Sequence, residues 1–445
     1  MFDRFLGGQR ASSGGNLVFG EVEAGWLTER YGTPLYVIDA GDFRSKIRDF
    51  VSAARGAHGD CRVSYSIKAN SALAVLGIAS GEGLFADTAS EGELEAALRA
   101  SFSPQRIQLH GNNKSDGELE RAVLLDIGRV VLDHFSEIER LAGIAQRHGR
   151  SPRVMIRLAP GVDPDTHVAV RTGQEDSKFG FNISDGSAER AVRAVSRHDA
   201  LRLVGFHCHV GSQLMNADAH VAAARRLADF AISMRGVAGE VEELNAGGGL
   251  GVKYLGEDRP ESYESFCGRI TEAIRTPFET SGLQVPRIGY EPGRALIAEA
   301  GTTLYRAGVI KRVPIDTEGG TRDYLCVDGG MADNPRPQIY GAPYTAMNAD
   351  RLNANHDTPF RIAGRHCEPD TLIPQALLPA STAEGDLIAI QCTGAYHYDM
   401  SSNYNRYPRP AMVIVGDGEP YLAVQREAVD DLFRLERTPG LVKNG

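Results

Sequence analysis

Eight short runs of apolar and β-branched residues punctuate the chain between residues 62 and 291. They lie at 62–67 (RVSYSI), 84–87 (LFAD), 106–110 (RIQLH), 129–133 (RVVLD), 153–158 (RVMIRL), 201–207 (LRLVGFH), 242–246 (EELNA) and 287–291 (RIGYE). Between them run longer stretches such as 91–101, 136–148 and 216–236, whose apolar residues recur at helical spacing among charged ones. Strands alternating with helices predict a parallel sheet, because a helical crossover is what returns the chain to begin a neighbouring strand in the same direction. Eight such units predict an α/β fold of the closed (β/α)8 TIM-barrel type, with an open doubly wound sheet as the alternative. A barrel makes one further demand, that working side chains stand at the C-terminal ends of its strands. Lys68, Asp87, His110, His134, Arg157, His207 with His209, Asn245 and Glu291 all fall at or just past the predicted ends. Core packing alone does not call for polar groups at nearly every strand end.

After about residue 298 the rhythm changes. Runs at 303–312, 323–327, 386–393, 411–415 and 420–425 are short, β-rich and separated by turn residues, with a helical pattern only near 427–434. This predicts a second, mostly antiparallel β domain. The run 35–39 (LYVID) is placed to pair with it. The expected division is 38–298 for the barrel, and 1–37 with 299–445 for a discontinuous β domain.

Length agrees with two domains, since 445 residues exceed a single barrel of roughly 250. Glycine is in excess at 50 residues, which points to backbone turns and close approaches. The net charge of -10, with no basic block, argues against a nucleic-acid partner. No apolar run approaches the ~20 residues that span a bilayer, and the segment Met1–Leu6 is unlike a signal peptide. Cys61, Cys208, Cys267, Cys326, Cys367 and Cys392 are scattered without a C-x-x-C pair, so neither a zinc knuckle nor a disulfide framework is indicated. The expectation is a cytoplasmic enzyme acting on a small molecule.

The chemistry-bearing segments sharpen this. Lys68, in YSIKAN, is a candidate Schiff-base nucleophile if its surroundings desolvate it, although a lysine at a strand end is by itself most often a surface residue. The run Asn245-Ala246-Gly247-Gly248-Gly249-Leu250-Gly251 suits a phosphate cradle; it is neither a G-x-x-x-x-G-K-[ST] loop nor a dinucleotide G-x-G-x-x-G. Glu291-Pro292-Gly293-Arg294 offers a carboxylate for a protonated ring nitrogen and a guanidinium for an anion. His207 and His209 are metal-ligand types, but the expectation is that they project from opposite faces of their strand and share no ion, so no metal is assigned and His209 is set against a planar cofactor. In the second domain, Cys367-Glu368, Tyr396 and the turn-rich segment 403–410 are candidate site residues. A lysine, a phosphate cradle, a carboxylate for a ring nitrogen and a stacking ring together form the parts list of a pyridoxal-phosphate site.

With these motifs in order, the chain resembles the barrel-type pyridoxal-phosphate decarboxylases. The resemblance runs through YSIKAN (65–70), GNNKS (111–115), PGVDPDTH (160–167), TGQEDSKFG (172–180) and HVGSQ (209–213). It continues through GGGLG (247–251), EPGR (291–294), VDGGM (327–331), RPQIYG (336–341), CE (367–368), GAY (394–396) and MSSNYN (400–405). It implies pyridoxal 5'-phosphate as cofactor and a homodimer with shared active sites. Lys68 would carry the cofactor covalently, with Asp87 beside it and His209 against the ring. Ser212, Gly248, Gly249, Glu291, Gly293, Arg294 and Tyr396 would bind the cofactor, with Glu291 at the pyridine nitrogen. Arg294, Arg336, Tyr340, Glu368 and Tyr396 would hold the substrate, and Cys367, arriving with Glu368 from the other subunit, would donate the proton. The implied reaction is decarboxylation of meso-diaminopimelate to L-lysine. Decarboxylation of ornithine, lysine, arginine or a carboxylated polyamine is the alternative, and a non-catalytic cofactor-binding homologue is a more distant one. A racemase fits less well, because that branch places an arginine at the ring nitrogen. Two departures stand out: Cys367-Glu368-Pro369-Asp370 replaces the usual Cys-Glu-Ser followed by Gly-Asp, and Leu158-Ala159-Pro160 replaces Ile-Asn-Pro.

Overall fold

The structure, a computed structural model, describes residues 5–162, 176–315 and 320–437. The parts of the PGVDPDTH and TGQEDSKFG motifs at 163–167 and 172–175 lie outside the described residues. Contacts divide the chain into two units, one spanning Asp42–Ala298 and the other combining the residues up to Gly41 with those from Glu299 onward.

The first unit is a closed parallel barrel. Its eight strands, in chain order, are Cys61–Ser66, Phe85–Thr88, Ile107–Leu109, Arg129–Leu132, Arg153–Ala159, Arg202–Cys208, Glu243–Asn245 and Arg287–Tyr290. Each pairs in parallel with the next, and the eighth pairs with the first (Gly289 opposite Arg62), which closes the ring. A two-residue strand, Phe181–Asn182, adds to the fifth. The helices between strands begin where local chemistry starts them. Ser90 caps Glu91–Arg99 by accepting the Glu93 N–H, and Ser115 forms a capping box with Glu118 at the start of Asp116–Leu124. Deep in the barrel Val131, Met155 and Val204 pack as a small apolar cluster.

Strand register sets the polar layers. Ser66 lies opposite Asp87, and Asp87 opposite Gln108; across the ring Arg157 lies opposite His207, and His207 opposite Asn245. Paired residues on neighbouring strands share a face, so these side chains rise together toward the strands' C-terminal ends. A separate buried cluster joins Arg62 and Arg129 to one carboxylate oxygen of Glu243, at 2.9 and 2.7 Å.

The second unit is built around Gly301–Pro314, a 14-residue strand. It pairs antiparallel with Leu35–Asp39, Leu387–Gln391 and Thr321–Val327. Most other pairings are antiparallel too, while Thr321–Val327 with Thr358–Ala363 and Leu35–Asp39 with Ala411–Val415 are parallel. Alternate residues of these strands, including Leu35, Val37, Leu304, Leu387, Val413 and Val415, fill an apolar core with Leu17, Phe19 and Leu27. The helical pattern near 427–434 forms only a 3-10 turn, Val429–Phe433, and exposes Val429 and Phe433. Among the described residues no helix is long and apolar enough to cross a membrane.

Glu243→Ala would leave two buried guanidinium groups without their carboxylate. The expected loss is about 3–5 kcal/mol of stability, read as a lowered midpoint in urea unfolding.

Candidate active site

At the C-terminal ends of the barrel strands lies a cavity of about 270 Å³. It is lined by Ser66, Lys68, Asp87, Ala89, Glu93, His110, Gly111, Arg157, Phe179, His207, His209 and Glu291. Of the polar residues expected at strand ends, Lys68, Asp87, His110, Arg157, His207, His209 and Glu291 therefore converge. Asn245 is also in place, donating to Glu291 at 2.8 Å. His134 is not part of this lining; it stands at the N-cap position of helix Phe135–Arg147, 2.9 Å from the Ser136 hydroxyl.

Glu291 is the centre of the cavity's charge network. Its Oε1 accepts from Gln108 Nε2 at 2.5 Å and from Asn245 Nδ2 at 2.8 Å, and its Oε2 lies 3.0 Å from His207 Nε2. Burial pushes its carboxyl pKa up, but His207 and His110 pull it well below the usual carboxylate range, so it is an anion. Burial lowers the His207 pKa against the pull of Glu291, which favours a neutral, hydrogen-bonding imidazole over an ion pair. Gln108 was not singled out from the sequence. The signal for it is periodicity: residues 108 and 110 share one face of the chain, and His110 stands at a predicted strand end.

His207 and His209 line the same cavity, which corrects the expectation that they face apart; side chains two residues apart on a strand share a face. Together with Glu291, His110 and His207 are of metal-ligand type, with ligand atoms within 4.8 Å of one another. The hydrogen bonds from His207, Gln108 and Asn245 instead satisfy the carboxylate as an anion. His209 is half-buried, and its Nδ1 accepts the Gly248 N–H at 3.3 Å. Burial, with Lys68 and Arg157 nearby, pushes its pKa well below the ordinary value and keeps the ring neutral.

Lys68 is displaced from the strand itself to the 3-10 turn Ile67–Ala69 that follows it. It is exposed at the cavity, so the expected desolvation is not supplied by the chain alone. Asp87 accepts from the Ser66 hydroxyl at 2.7 Å. Arg157 lies 4.4 Å from the Phe179 ring centroid.

The glycine run is shaped by close backbone contact. A Cβ on Gly248 would meet the Glu291 carbonyl oxygen at 2.0 Å, and one on Gly249, whose φ is 124°, the Gly211 carbonyl oxygen at 2.1 Å. Only glycine lets this backbone approach so closely. Ser212 accepts from Arg294 Nη2 at 3.0 Å, and Arg294 Nη1 reaches the Tyr254 hydroxyl at 2.5 Å. Gly293 precedes the short helix Arg294–Ile297, and a Cβ there would meet that of Ser66 at 2.9 Å. An amine, a neutral imidazole, a buried anionic carboxylate and a glycine loop beside a serine–arginine pair fit pyridoxal phosphate in both charge and shape.

The remaining candidates form a cluster within the second unit. Arg336 is buried, with its guanidinium 4.9 Å from the Tyr340 ring centroid and 5.2 Å from that of Tyr396. Its Nε has no hydrogen-bond partner among the described residues. Gln338, on the same short helix, donates to the carbonyls of Pro369 and Thr371, tying Arg336–Tyr340 to the Cys367 loop. Cys367 and Glu368 are exposed. Asn405, at φ 52°, accepts the Cys367 N–H at 2.9 Å, and the Tyr404 hydroxyl donates to Glu368 at 2.5 Å. Beneath the loop His366 and Asp370 pair at 2.7 Å, both buried. The turn-rich segment 403–410 thus anchors the Cys367 loop.

Comparison with known proteins agrees with this geometry. Residues 42–298 match the family described as pyridoxal-dependent decarboxylase, pyridoxal binding domain. The diaminopimelate decarboxylase of Bacillus subtilis is 43% identical over 432 residues, covering 97% of each chain. That of Mycobacterium tuberculosis is 41% identical over 419 residues, covering 92% of each. The solved structure of diaminopimelate decarboxylase from M. jannaschii in complex with L-lysine superposes with a TM-score of 0.90 at 29% identity, over 97% of this chain and 98% of that one.

His220, buried in helix Asp218–Ser233, supports the glycine loop through its Nε2, 3.1 Å from the Gly248 carbonyl oxygen. Burial pushes its pKa down from 6.5 to about 4, so folding favours the neutral form. The associated stability is complete above pH 6.5 and is lost as pH falls toward 4, roughly 3 kcal/mol in all. His220→Gln keeps a donor but removes the titration, so its unfolding free energy should lose that slope between pH 6.5 and 4 when compared with the unsubstituted protein.

Proposed function

The chain belongs to the diaminopimelate decarboxylases of the pyridoxal-dependent decarboxylase family, and from that premise we propose that it releases one carboxylate of meso-diaminopimelate as carbon dioxide and leaves L-lysine. The observation that carries this reading is the placement of Lys68 and a buried anionic Glu291 in one barrel mouth. Bound pyridoxal phosphate would supply an electron sink for the pair left behind when the carboxylate departs.

The chain's own residues do the rest. Lys68 would hold the cofactor through its amine, with Asp87 lining the same cavity. Glu291, a buried anion, would keep the ring nitrogen protonated, and His209, whose ring is neutral, would face the cofactor. Ser212, Gly248, Gly249, Gly293 and Arg294 would hold the phosphate end, and Tyr396 is assigned to the cofactor by the family resemblance. Arg336, Tyr340 and Tyr396 take the carboxylate at the substrate's non-reacting end, Glu368 takes the ammonium there, and Arg294 is assigned a further substrate contact by the family resemblance. Cys367 delivers its Sγ proton to the carbon that has lost carbon dioxide. The working form is a homodimer in which Cys367 and Glu368 of one copy serve the other; their exposure supports this assignment. Lysine, ornithine and arginine lack the distal carboxylate and would leave the buried Arg336 guanidinium without an anion.

Purified protein should release carbon dioxide from meso-diaminopimelate at least ~100-fold more efficiently than from lysine, ornithine or arginine. Preference for any of those three overturns the substrate. Lys68→Ala should abolish the protein–cofactor adduct trapped by borohydride, and persistence of that adduct would refute its role. Cys367→Ala should slow turnover by about 10²–10⁴-fold with cofactor binding unchanged. Loss of the cofactor instead would make the cysteine structural.

A further inference from the structure

The donors around Glu291 are arranged asymmetrically between its two oxygens. Gln108 and Asn245 both donate to Oε1, which occupies the two lone pairs of that atom. Oε2 accepts from His207 alone among the described residues, so one of its lone pairs stays open. His207 Nδ1 is buried without a partner among the described residues, so the ring's one proton sits on Nε2, toward Glu291. His110 Nε2 lies 3.2 Å from Oε1 and 3.4 Å from Asp87 Oδ1, near both carboxylates and squarely hydrogen-bonded to neither. The two imidazoles meet edge to face, 4.7 Å between centroids at 67°, so each keeps the other from swinging away.

We propose that His207 and His110 are positioning residues that turn Glu291 so that the open lone pair of Oε2 is presented to the cofactor's ring N–H. The proposal rests on the pyridoxal-phosphate reading above. Neither histidine touches the reacting atoms in this role; both act through Glu291. Arg157, Asp87 and Lys68 share the cavity and set its overall charge, but none of them donates to Oε2. There is a physical reason for imidazole here. At position 207 a neutral donor fixes the carboxylate without cancelling its charge, so the anion keeps its strength as an acceptor. An arginine or lysine at position 207 would neutralise it.

The test uses the full-length protein stripped of cofactor with hydroxylamine. Equilibrium dialysis then measures its binding of pyridoxal phosphate and of the 1-deaza analogue, in which a C–H replaces the ring nitrogen. The ratio of the two dissociation constants is the readout, and no turnover is involved. The unsubstituted protein should prefer pyridoxal phosphate by about 10-fold or more, the worth of one charge-assisted hydrogen bond. His207→Leu and His110→Leu should lower that ratio to about 3-fold or less, on the same scale. His207→Gln, whose amide N–H can replace Nε2–H, should keep it. An unchanged ratio in folded leucine variants overturns the positioning role. If the leucine variants do not fold, His207→Asn and His110→Asn, polar but too short to reach Glu291, carry the same comparison. Unsubstituted protein that binds neither compound overturns the cofactor reading itself. Equal binding of both compounds leaves that reading standing and overturns the ring-nitrogen contact, and this proposal with it.

Discussion

Withdrawing an ionised carboxylate from water costs several kcal/mol unless donors replace the lost hydration. Glu291, 6% exposed at the barrel mouth, has that replacement in Gln108, Asn245 and His207. These donors come from the third, seventh and sixth strands, and Glu291 follows the eighth. A single anion therefore requires four strands to stand in correct register. Slipping any one of them by a residue would turn its side chain to the other face. The same register that closes the barrel is thus what keeps the carboxylate charged.

Around that point the barrel mouth divides its tasks by backbone type. Regular strands carry the groups whose direction matters, such as Asp87, His207 and Glu291's donors, because side chains on paired strands are held rigidly. Turns carry Lys68, on its 3-10 turn, and the glycines at 247–249, where the chain runs too near neighbouring carbonyls to admit a Cβ. His220, on a helix behind the loop, fixes the Gly248 carbonyl from the other side.

In the second unit, the departure at Cys367-Glu368-Pro369-Asp370 acquires a structural context. Asp370 accepts from the Met331 N–H and pairs with His366, while Gly330 and Gly364 leave the space that its carboxylate fills. Tyr404 stacks over His366 and donates to Glu368. The loop thus hangs from a buried pair at its base and from a tyrosine at its tip. A serine is not needed to hold this short loop in shape.

The sequence by itself determined the eight barrel strands and the pyridoxal-dependent family to which the chain belongs. Eight strand patterns and the strand-end positions of Lys68, Asp87, His207, His209 and Glu291 are local properties, written in periodicity and in short motifs. The same holds for the relatedness of the chain, which rests on ordered matches along its length. What only the tertiary structure decided is which of those groups meet. That Gln108 and Asn245 saturate one oxygen of Glu291 depends on how distant strands align when the sheet closes. His207 and His209 share a face because side chains two residues apart on a strand point the same way. Short strands such as Ala346–Asn348 carry too few residues to show a period, and the helical pattern near 427–434, with little core to pack against, winds only into a 3-10 turn. Residue type and spacing are encoded along the chain; the counting of lone pairs and donors around one buried charge exists only after folding, because its members come from positions up to 183 residues apart.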